Sequence, residues 1–76
     1  MKTLRETEII TRKGLNDFSI CLNSTGNKIT PFSTHIKIYE DNKNAFFIHG
    51  DYFYNIKAAM RSFVDRSKKE IERAAK

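Results

Sequence analysis

The C-terminal third of the chain has the sequence pattern of one long helix. No glycine or proline occurs from Asp51 to Lys76. Asp51 is a suitable N-cap, so we expect a helix of about 25 residues over 52–75. At 100° per residue its apolar side chains fall in one arc of about 100°, which predicts that the helix covers a sheet. This apolar stripe consists of Phe53, Ile56, Met60, Phe63, Val64, Ser67, Ile71 and Ala74. Met60 is expected to be buried, and the charged turns after Val64 are expected to overhang the sheet.

The rest of the chain has the patterns of strands. Two segments, at about 17–23 and 34–40, alternate between apolar and polar residues, as strands buried on one face do. β-Branched residues predict another strand at about 6–12, and an aromatic run predicts one at about 44–49. One predicted face carries Phe18, Ile20, Leu22, Ile36 and Ile38, and the other carries Ser19, Cys21, Asn23, His35, Lys37 and Tyr39.

Turn residues divide these strands. Pro31 predicts an irregular or edge segment at 29–33, because proline cannot donate to a sheet ladder. The polar residues 41–44 predict a hairpin loop between the last two strands. Gly50 is expected to end the fourth strand. The predicted fold is therefore a single α+β domain over 1–76, in which an antiparallel sheet of three to four strands carries one long C-terminal helix on one face.

Composition and motifs favour a protein that is not an enzyme. The single cysteine, Cys21, allows no intrachain disulfide, which fits a reducing cytoplasm, and no apolar run is long enough to span a membrane. No nucleotide-binding, metalloprotease or nucleophile-elbow motif occurs. His35 and His49 lie on adjacent predicted strands, but a metal site needs further ligands. We expect no cofactor, no metal and no catalytic residue.

A basic stripe is the first candidate binding feature. The chain has a formal charge of +5, a surplus that attracts polyanions. Lys57, Arg61 and Lys68 lie within about 40° of one another on the predicted helix. Together with Lys37 of the sheet they would form a ridge that contacts phosphates, if the packing brings them together. The alternative interpretation is a solvated flank of the helix.

Aromatic side chains are the second candidate feature. Phe46, Phe47, Tyr52, Phe53 and Tyr54 follow the predicted hairpin, and Tyr39 lies across it. A helix covers only one face of a sheet, so some rings are expected on the uncovered face, where they would stack on bases. The other interpretation is a homodimer that buries the face around Tyr39 and Phe46, with Ile71 as a second contact.

Two functional hypotheses follow. The first is a small nucleic-acid-binding or regulatory protein that uses Lys57, Arg61, Lys68, Lys37, Tyr39 and Phe46, with binding to DNA or RNA that weakens steeply with salt. The second is an inhibitor or adaptor, such as one of phage type, that binds a host protein through the C-terminal helix or a free sheet edge near Pro31. Strands followed by a helix occur in both classes, so the architecture does not choose between them.

Overall fold

A four-stranded antiparallel sheet carries one C-terminal helix on one face, which confirms the predicted fold class. The computed structural model describes residues 1–41 and 43–74. The elements are β1 (Lys2–Glu6), β2 (Asp17–Ser24), β3 (Phe32–Tyr39), β4 (Ala45–Phe53) and α1 (Ile56–Ala74). The strands lie in the order β1-β2-β3-β4, so each one pairs with its neighbour along the chain. Residue 75, the predicted helix end, lies outside the described residues.

The first strand lies earlier in the chain than predicted. β1 occupies Lys2–Glu6, where 6–12 was expected. Its pairing with β2 ends at Glu6 and Cys21, after which the Thr7 amide still donates to the Ile20 carbonyl at 3.0 Å. Ile10 then forms an isolated bridge with Phe18. The β-branched segment therefore follows the edge of β2 without forming a regular ladder.

The two central strands confirm the predicted alternation and correct the expected role of Pro31. Phe18 and Ile20 of β2 form the buried core with Ile38 of β3, and Phe63 of α1 packs against this cluster. β3 begins at Phe32, directly after Pro31, and pairs on both sides. No free edge exists near Pro31, because the proline precedes a central strand whose first residue is already paired.

Gly50 lies inside the fourth strand and does not end it. β4 continues to Phe53 because Asp51, Tyr52 and Phe53 pair with β3. The register shifts between Thr34 and Ile36, so His49 and Gly50 together face one residue of β3. This is a β-bulge, and His49 adopts a positive φ of 52° there.

Asn55, four residues beyond the predicted cap at Asp51, caps the helix. Its side-chain Oδ1 accepts a hydrogen bond from the Ala58 amide at 2.8 Å, and its carbonyl accepts from the Ala59 amide at 3.3 Å. Asp51 is unavailable as a cap because it is paired in β4 opposite Thr34. The helix therefore begins at Ile56.

The helix is rotated relative to the predicted stripe. Ala59 is fully buried, whereas Met60 is 37% exposed, so the expected burial of Met60 is wrong. The inward side also includes Ser62, Phe63, Arg66, Ser67 and Glu70, which are half-buried. The centre of this side is roughly 70° from the centre of the predicted stripe. Ile56, Val64 and Ile71 consequently remain exposed beside Met60.

Polar contacts to the sheet explain this rotation. Ser62 Oγ lies 3.0 Å from Thr34 Oγ1. Arg66 donates to the carbonyls of Thr34 at 3.2 Å and His49 at 2.6 Å, and it forms an ion pair with Asp51 at 3.2 Å. Arg66 thus satisfies one carbonyl group in β3 and one at the bulge in β4. The later turns do not overhang the sheet as expected, because Glu70 and Ala74 are half-buried.

Candidate functional site

The sheet face opposite α1, which we call the open face, carries a network of hydrogen-bonded polar side chains. The pairing register places on it Thr3, Glu6, Asp17, Ser19, Cys21, Asn23, Ser33, His35, Lys37, Tyr39, Ala45, Phe47 and Tyr52. No helix covers this face, yet Ser19, Cys21, Asn23 and Ser33 are completely buried. Their side chains are small, and larger neighbours on the same face shield them.

His35 is at the centre of a hydrogen-bond network on the open face. The Asn23 amide Nδ2 lies 3.2 Å from Nδ1 of the imidazole, and Ser33 Oγ lies at the same distance. An amide NH₂ only donates, so Nδ1 accepts and the proton of the neutral ring lies on Nε2. Nε2 lies 3.4 Å from the Tyr52 hydroxyl. Thr3 Oγ1 donates to Asn23 Oδ1 at 3.0 Å and extends the network toward β1.

The environment of His35 favours the neutral ring. The side chain is 5% exposed. Burial lowers the pKa of His35 below its ordinary 6.5, and the Arg66 guanidinium lowers it further, while Asp51 acts in the opposite direction. The lowered pKa agrees with the hydrogen-bond pattern, because only a neutral imidazole accepts from Asn23.

Two exposed aromatic rings lie against His35. The centroid of the Phe47 ring is 5.3 Å from that of His35, and the planes are tilted by 51°. The Tyr52 ring makes an edge contact at 5.6 Å and 86°. Phe47 is 38% exposed and Tyr52 is 55% exposed. The two rings are therefore held from below by a buried imidazole and remain open to solvent above.

The bulge in β4 brings these two rings to the same face. Phe47 and Tyr52 are five residues apart, an odd spacing that puts side chains on opposite faces of a regular strand. The extra residue at His49 and Gly50 changes this parity, so Phe47 pairs with Lys37 and Tyr52 with Ser33. Gly50 also makes room for His35, since a Cβ there would lie 2.4 Å from Nε2.

A second polar cluster surrounds Glu6 at one end of the open face. Its carboxylate accepts hydrogen bonds from Ser19 Oγ at 2.6 Å and from the Tyr39 hydroxyl. Burial tends to raise the pKa of Glu6, but these hydrogen bonds and Lys37 outweigh burial and lower it below 4.5. Burial and the bond to Glu6 raise the pKa of Tyr39. The Lys37 ammonium lies 5.2 Å from the centre of the Tyr39 ring.

The structure does not bring the predicted site residues together. Lys37 and Tyr39 lie on the open face, but Phe46 pairs with Ile38 and belongs to the helix side. The expected dimer face around Tyr39 and Phe46 is therefore not one surface. The basic stripe is exposed on α1, on the other side of the sheet from Lys37, so the predicted ridge does not form. The stripe consists of Lys57, Arg61 and Lys68.

The sequence interpretation missed Phe47, Tyr52 and His35 as a group. Phe47 and Tyr52 each had a detectable signal. Phe47 follows Phe46 and so points to the opposite face, and a glycine inside a strand pattern, here Gly50 before Tyr52, indicates a bulge. We interpreted Gly50 as a strand end, and that choice hid the change of parity that brings Tyr52 to the open face.

The chemistry of the nucleophilic and metal-ligating residues is limited by burial and separation. Cys21 is fully buried, and burial raises the pKa of its thiol. His35 lies on the open face, whereas His49 lines a cavity on the helix side. Within residues 1–41 and 43–74 no group of three or more metal-ligating side chains converges.

Comparison of the chain with protein-family models, with curated proteins and with solved structures gives no match. In the described part of the chain, no helix is both long enough and apolar enough to cross a membrane.

Proposed function

We propose that this is a small non-enzymatic nucleic-acid-binding protein that takes a single strand of DNA or RNA across the open face of its sheet. The observation that carries the proposal is the pair of exposed rings, Phe47 and Tyr52, held against His35 on a face without a helix. Exposed rings on a sheet stack on unpaired bases, and such stacking tolerates any base sequence. A free thiol suits a cytoplasmic location.

Each part of the open face has a role in the proposed complex. Phe47 and Tyr52 stack on bases, and His35 keeps both rings in place. Lys37 lies opposite Phe47 in the ladder and contacts a phosphate. The small side chains of Ser19 and Cys21 are covered by their larger neighbours, so a bound strand crosses the face on top of those neighbours.

Charge on this face sets the expected salt dependence. Among the described residues of the four strands, Lys37 is the one basic side chain on the open face, which also carries the acidic residues Glu6 and Asp17. A single-stranded ligand contributes a slope of about −0.7 to log K against log salt per neutralised phosphate. We therefore expect a slope close to that of one phosphate, shallower than the sequence analysis suggested.

The test is a titration of labelled single- and double-stranded DNA and RNA at low and physiological salt. Phe47→Ala and Tyr52→Ala are each expected to weaken single-strand binding by about 1–3 kcal/mol, the usual loss of one stacked base. Tyr54→Ala is the matched control. Tyr54 is 75% exposed and follows β4, so its removal should leave binding unchanged.

The basic stripe of α1 provides the contradicting outcome. Arg61→Gln is expected to alter binding far less than Tyr52→Ala, because α1 lies on the other face. A slope of log K against log salt that corresponds to three or more neutralised phosphates, together with a large effect of Arg61→Gln, would mean that the ligand binds the helix. Absence of binding to every nucleic acid at low salt would reject the function itself.

A protein-binding inhibitor or adaptor is the second candidate, and the free edges of the sheet favour it. β1 and β4 are edge strands, and all five residues of β1 are exposed. Unpaired edge strands accept strands of a partner. A pull-down from nuclease-treated lysate separates the two candidates: a stoichiometric partner that survives nuclease and high salt supports the adaptor, and loss of every partner after nuclease supports nucleic acid.

Self-association stays a prediction, although its expected surface changes. Leu4, Ile56 and Met60 are exposed apolar side chains that line one shallow groove between β1 and α1. A homodimer would bury them and stabilise a small core. Sedimentation equilibrium at tens of micromolar decides between a mass of one chain and a mass of two.

A further inference from the structure

A cavity of about 410 Å³ lies between the sheet and the second half of α1, on the opposite side of the sheet from the open face. Its floor is apolar and is formed by Ile36, Ile38 and Ile48, which lie beside the completely buried core residues Phe18 and Ile20. Its walls carry Arg12, His49, Arg66, Glu70 and Arg73. The volume is within the range of about 300–1,000 Å³ that is usual for small-molecule sites.

Floor and roof of this cavity differ in chemistry. The helix covers the core with Ala59 and Phe63 in its first half, as expected for packing on an apolar sheet. Further along, the residues that turn toward the isoleucine floor are Arg66, Glu70 and Arg73. Charged side chains do not fill a space above isoleucines, because they keep their polar ends hydrated. A cavity with an apolar floor and a charged roof remains.

The charges around the cavity do not balance. Arg66 already forms an ion pair with Asp51 and hydrogen bonds with the carbonyls of Thr34 and His49. Arg73 pairs with Glu70 at 3.2 Å. Arg12 forms no ion pair with any described residue, and its guanidinium lies 4.3 Å above the Phe18 ring. One positive charge is left over at the cavity.

Arg12 also has an unused hydrogen-bond donor. Its Nε is buried and has no hydrogen-bond partner in the described part of the chain. Buried donors are nearly always satisfied, and leaving a charged one unsatisfied costs free energy. The Nε and Nη donors of arginine together match the two oxygens of a carboxylate or the oxygens of a phosphate.

We propose that this cavity binds a small amphiphilic anion. Its hydrocarbon chain lies on the floor formed by Ile36, Ile38 and Ile48, and its anionic head pairs with the guanidinium of Arg12. The ligand class is a single-chain carboxylate of medium length. The proposed site and the open face lie on opposite sides of the sheet, so this inference does not depend on nucleic-acid binding.

The experiment is a titration of the full chain, labelled at the isoleucine methyl groups, with decanoate below its micelle concentration. The methyl signals of Ile36, Ile38 and Ile48 are expected to shift and saturate together. Ile29, which is 80% exposed, and Ile56, which lies outside the cavity, should not follow them. Acetate has the head without the chain and should not shift the floor signals at millimolar concentrations.

Two comparisons test the anionic head. Decanol has the same chain without the charge and should bind about tenfold more weakly or worse, as expected for loss of a charged hydrogen bond. Arg12→Gln should weaken decanoate binding by about the same factor, and Lys13→Gln, a change at the exposed neighbouring residue, should not. The decanol comparison uses the unaltered protein, so it remains decisive if Arg12→Gln impairs folding.

Four outcomes would overturn the proposal. Non-saturating shifts spread over Ile9, Ile56 and Ile71 would show detergent-like adsorption to exposed apolar residues. Equal affinity for decanol and decanoate would show that Arg12 recognises no head group. Floor signals that decanoate leaves unmoved would show that the cavity is closed to such a ligand. Vesicle binding without binding of free decanoate would reject the cavity and indicate a lipid surface instead.

Discussion

Ile20 and Cys21 are neighbours on β2, and neither has any exposed surface, yet they lie on opposite faces of the sheet. Ile20 belongs to the apolar core that α1 covers. Cys21 lies on the open face between Ser19 and Asn23, opposite His35. The same degree of burial therefore arises from a covering helix on one face, and from small side chains between larger neighbours on the other.

This difference separates two kinds of order. Apolar packing is non-directional, so the helix side fixes which elements come together but tolerates a cavity where α1 becomes charged. Hydrogen bonds are directional, and those of His35 fix the positions of individual rings on the open face. The helix side accordingly provides stability, and the open face provides a shaped surface.

The largest contrast is expected from shortening the two neighbours on β2. Ile20→Ala should lower the free energy of unfolding by about 2–5 kcal/mol, since it leaves a cavity in the core. Cys21→Ala removes one sulfur atom and should cost only about 1 kcal/mol. Urea denaturation measures both. Equal losses would contradict the comparison and indicate that a second chain covers the open face.

A smaller loss is expected when a methyl group is added beneath His35. Gly50→Ala places a Cβ 2.4 Å from Nε2, so the imidazole must shift away from its partners, at about 1–3 kcal/mol. The loss should largely disappear when Gly50→Ala is made in a His35→Ala background, because the clash then has no partner. Two additive losses would mean that the strain is in the backbone of the bulge.

Acidification should weaken the open face before it affects the helix side. Because the pKa of His35 is lowered, the folded protein binds this proton less tightly than the unfolded chain does. The contribution of His35 is complete above pH 6.5 and is lost as the pH falls from 6.5 through the lowered pKa. Glu6 adds to this loss only at lower pH, because its own contribution is complete above pH 4.5 and is lost as the pH falls through its lowered pKa.

Urea midpoints between pH 8 and pH 5 measure this dependence. His35→Gln should flatten the profile, and His49→Asn is the control because asparagine tolerates the positive φ at that position. If the urea midpoint of His35→Gln still falls with pH as in the unaltered protein, another group binds the proton that destabilises the fold.

The smallest effect is expected at Met60. This side chain is 37% exposed, so Met60→Ala should cost well under the roughly 2–5 kcal/mol expected of a buried methionine. Phe63→Ala, which removes a ring packed against the core, should cost more. A loss at Met60 as large as that at Phe63 would restore the predicted helix rotation, or would indicate that Met60 is buried between two chains.

Much of the fold was predictable because local patterns and tertiary structure agree in β2 and β3. The alternation of Phe18, Ile20 and Leu22 with small polar residues predicted both faces correctly. The first strand was misplaced, because β-branched residues near Ile9 and Ile10 favour extended structure whether or not a ladder forms. The candidate site was predictable only in part: Lys37 and Tyr39 lie on the open face, whereas Phe46 does not.

The sequence by itself determined the class of fold, the order of the elements and the side to which each residue of the central strands points. These follow from periods of two and of 3.6 residues, which are local properties of the backbone. Only the tertiary structure decided how α1 is rotated and which rings share a face. The rotation depends on Arg66 reaching carbonyls in β3 and β4, and the shared face depends on the bulge at Gly50. Both are contacts between distant parts of the chain, and no local period encodes them.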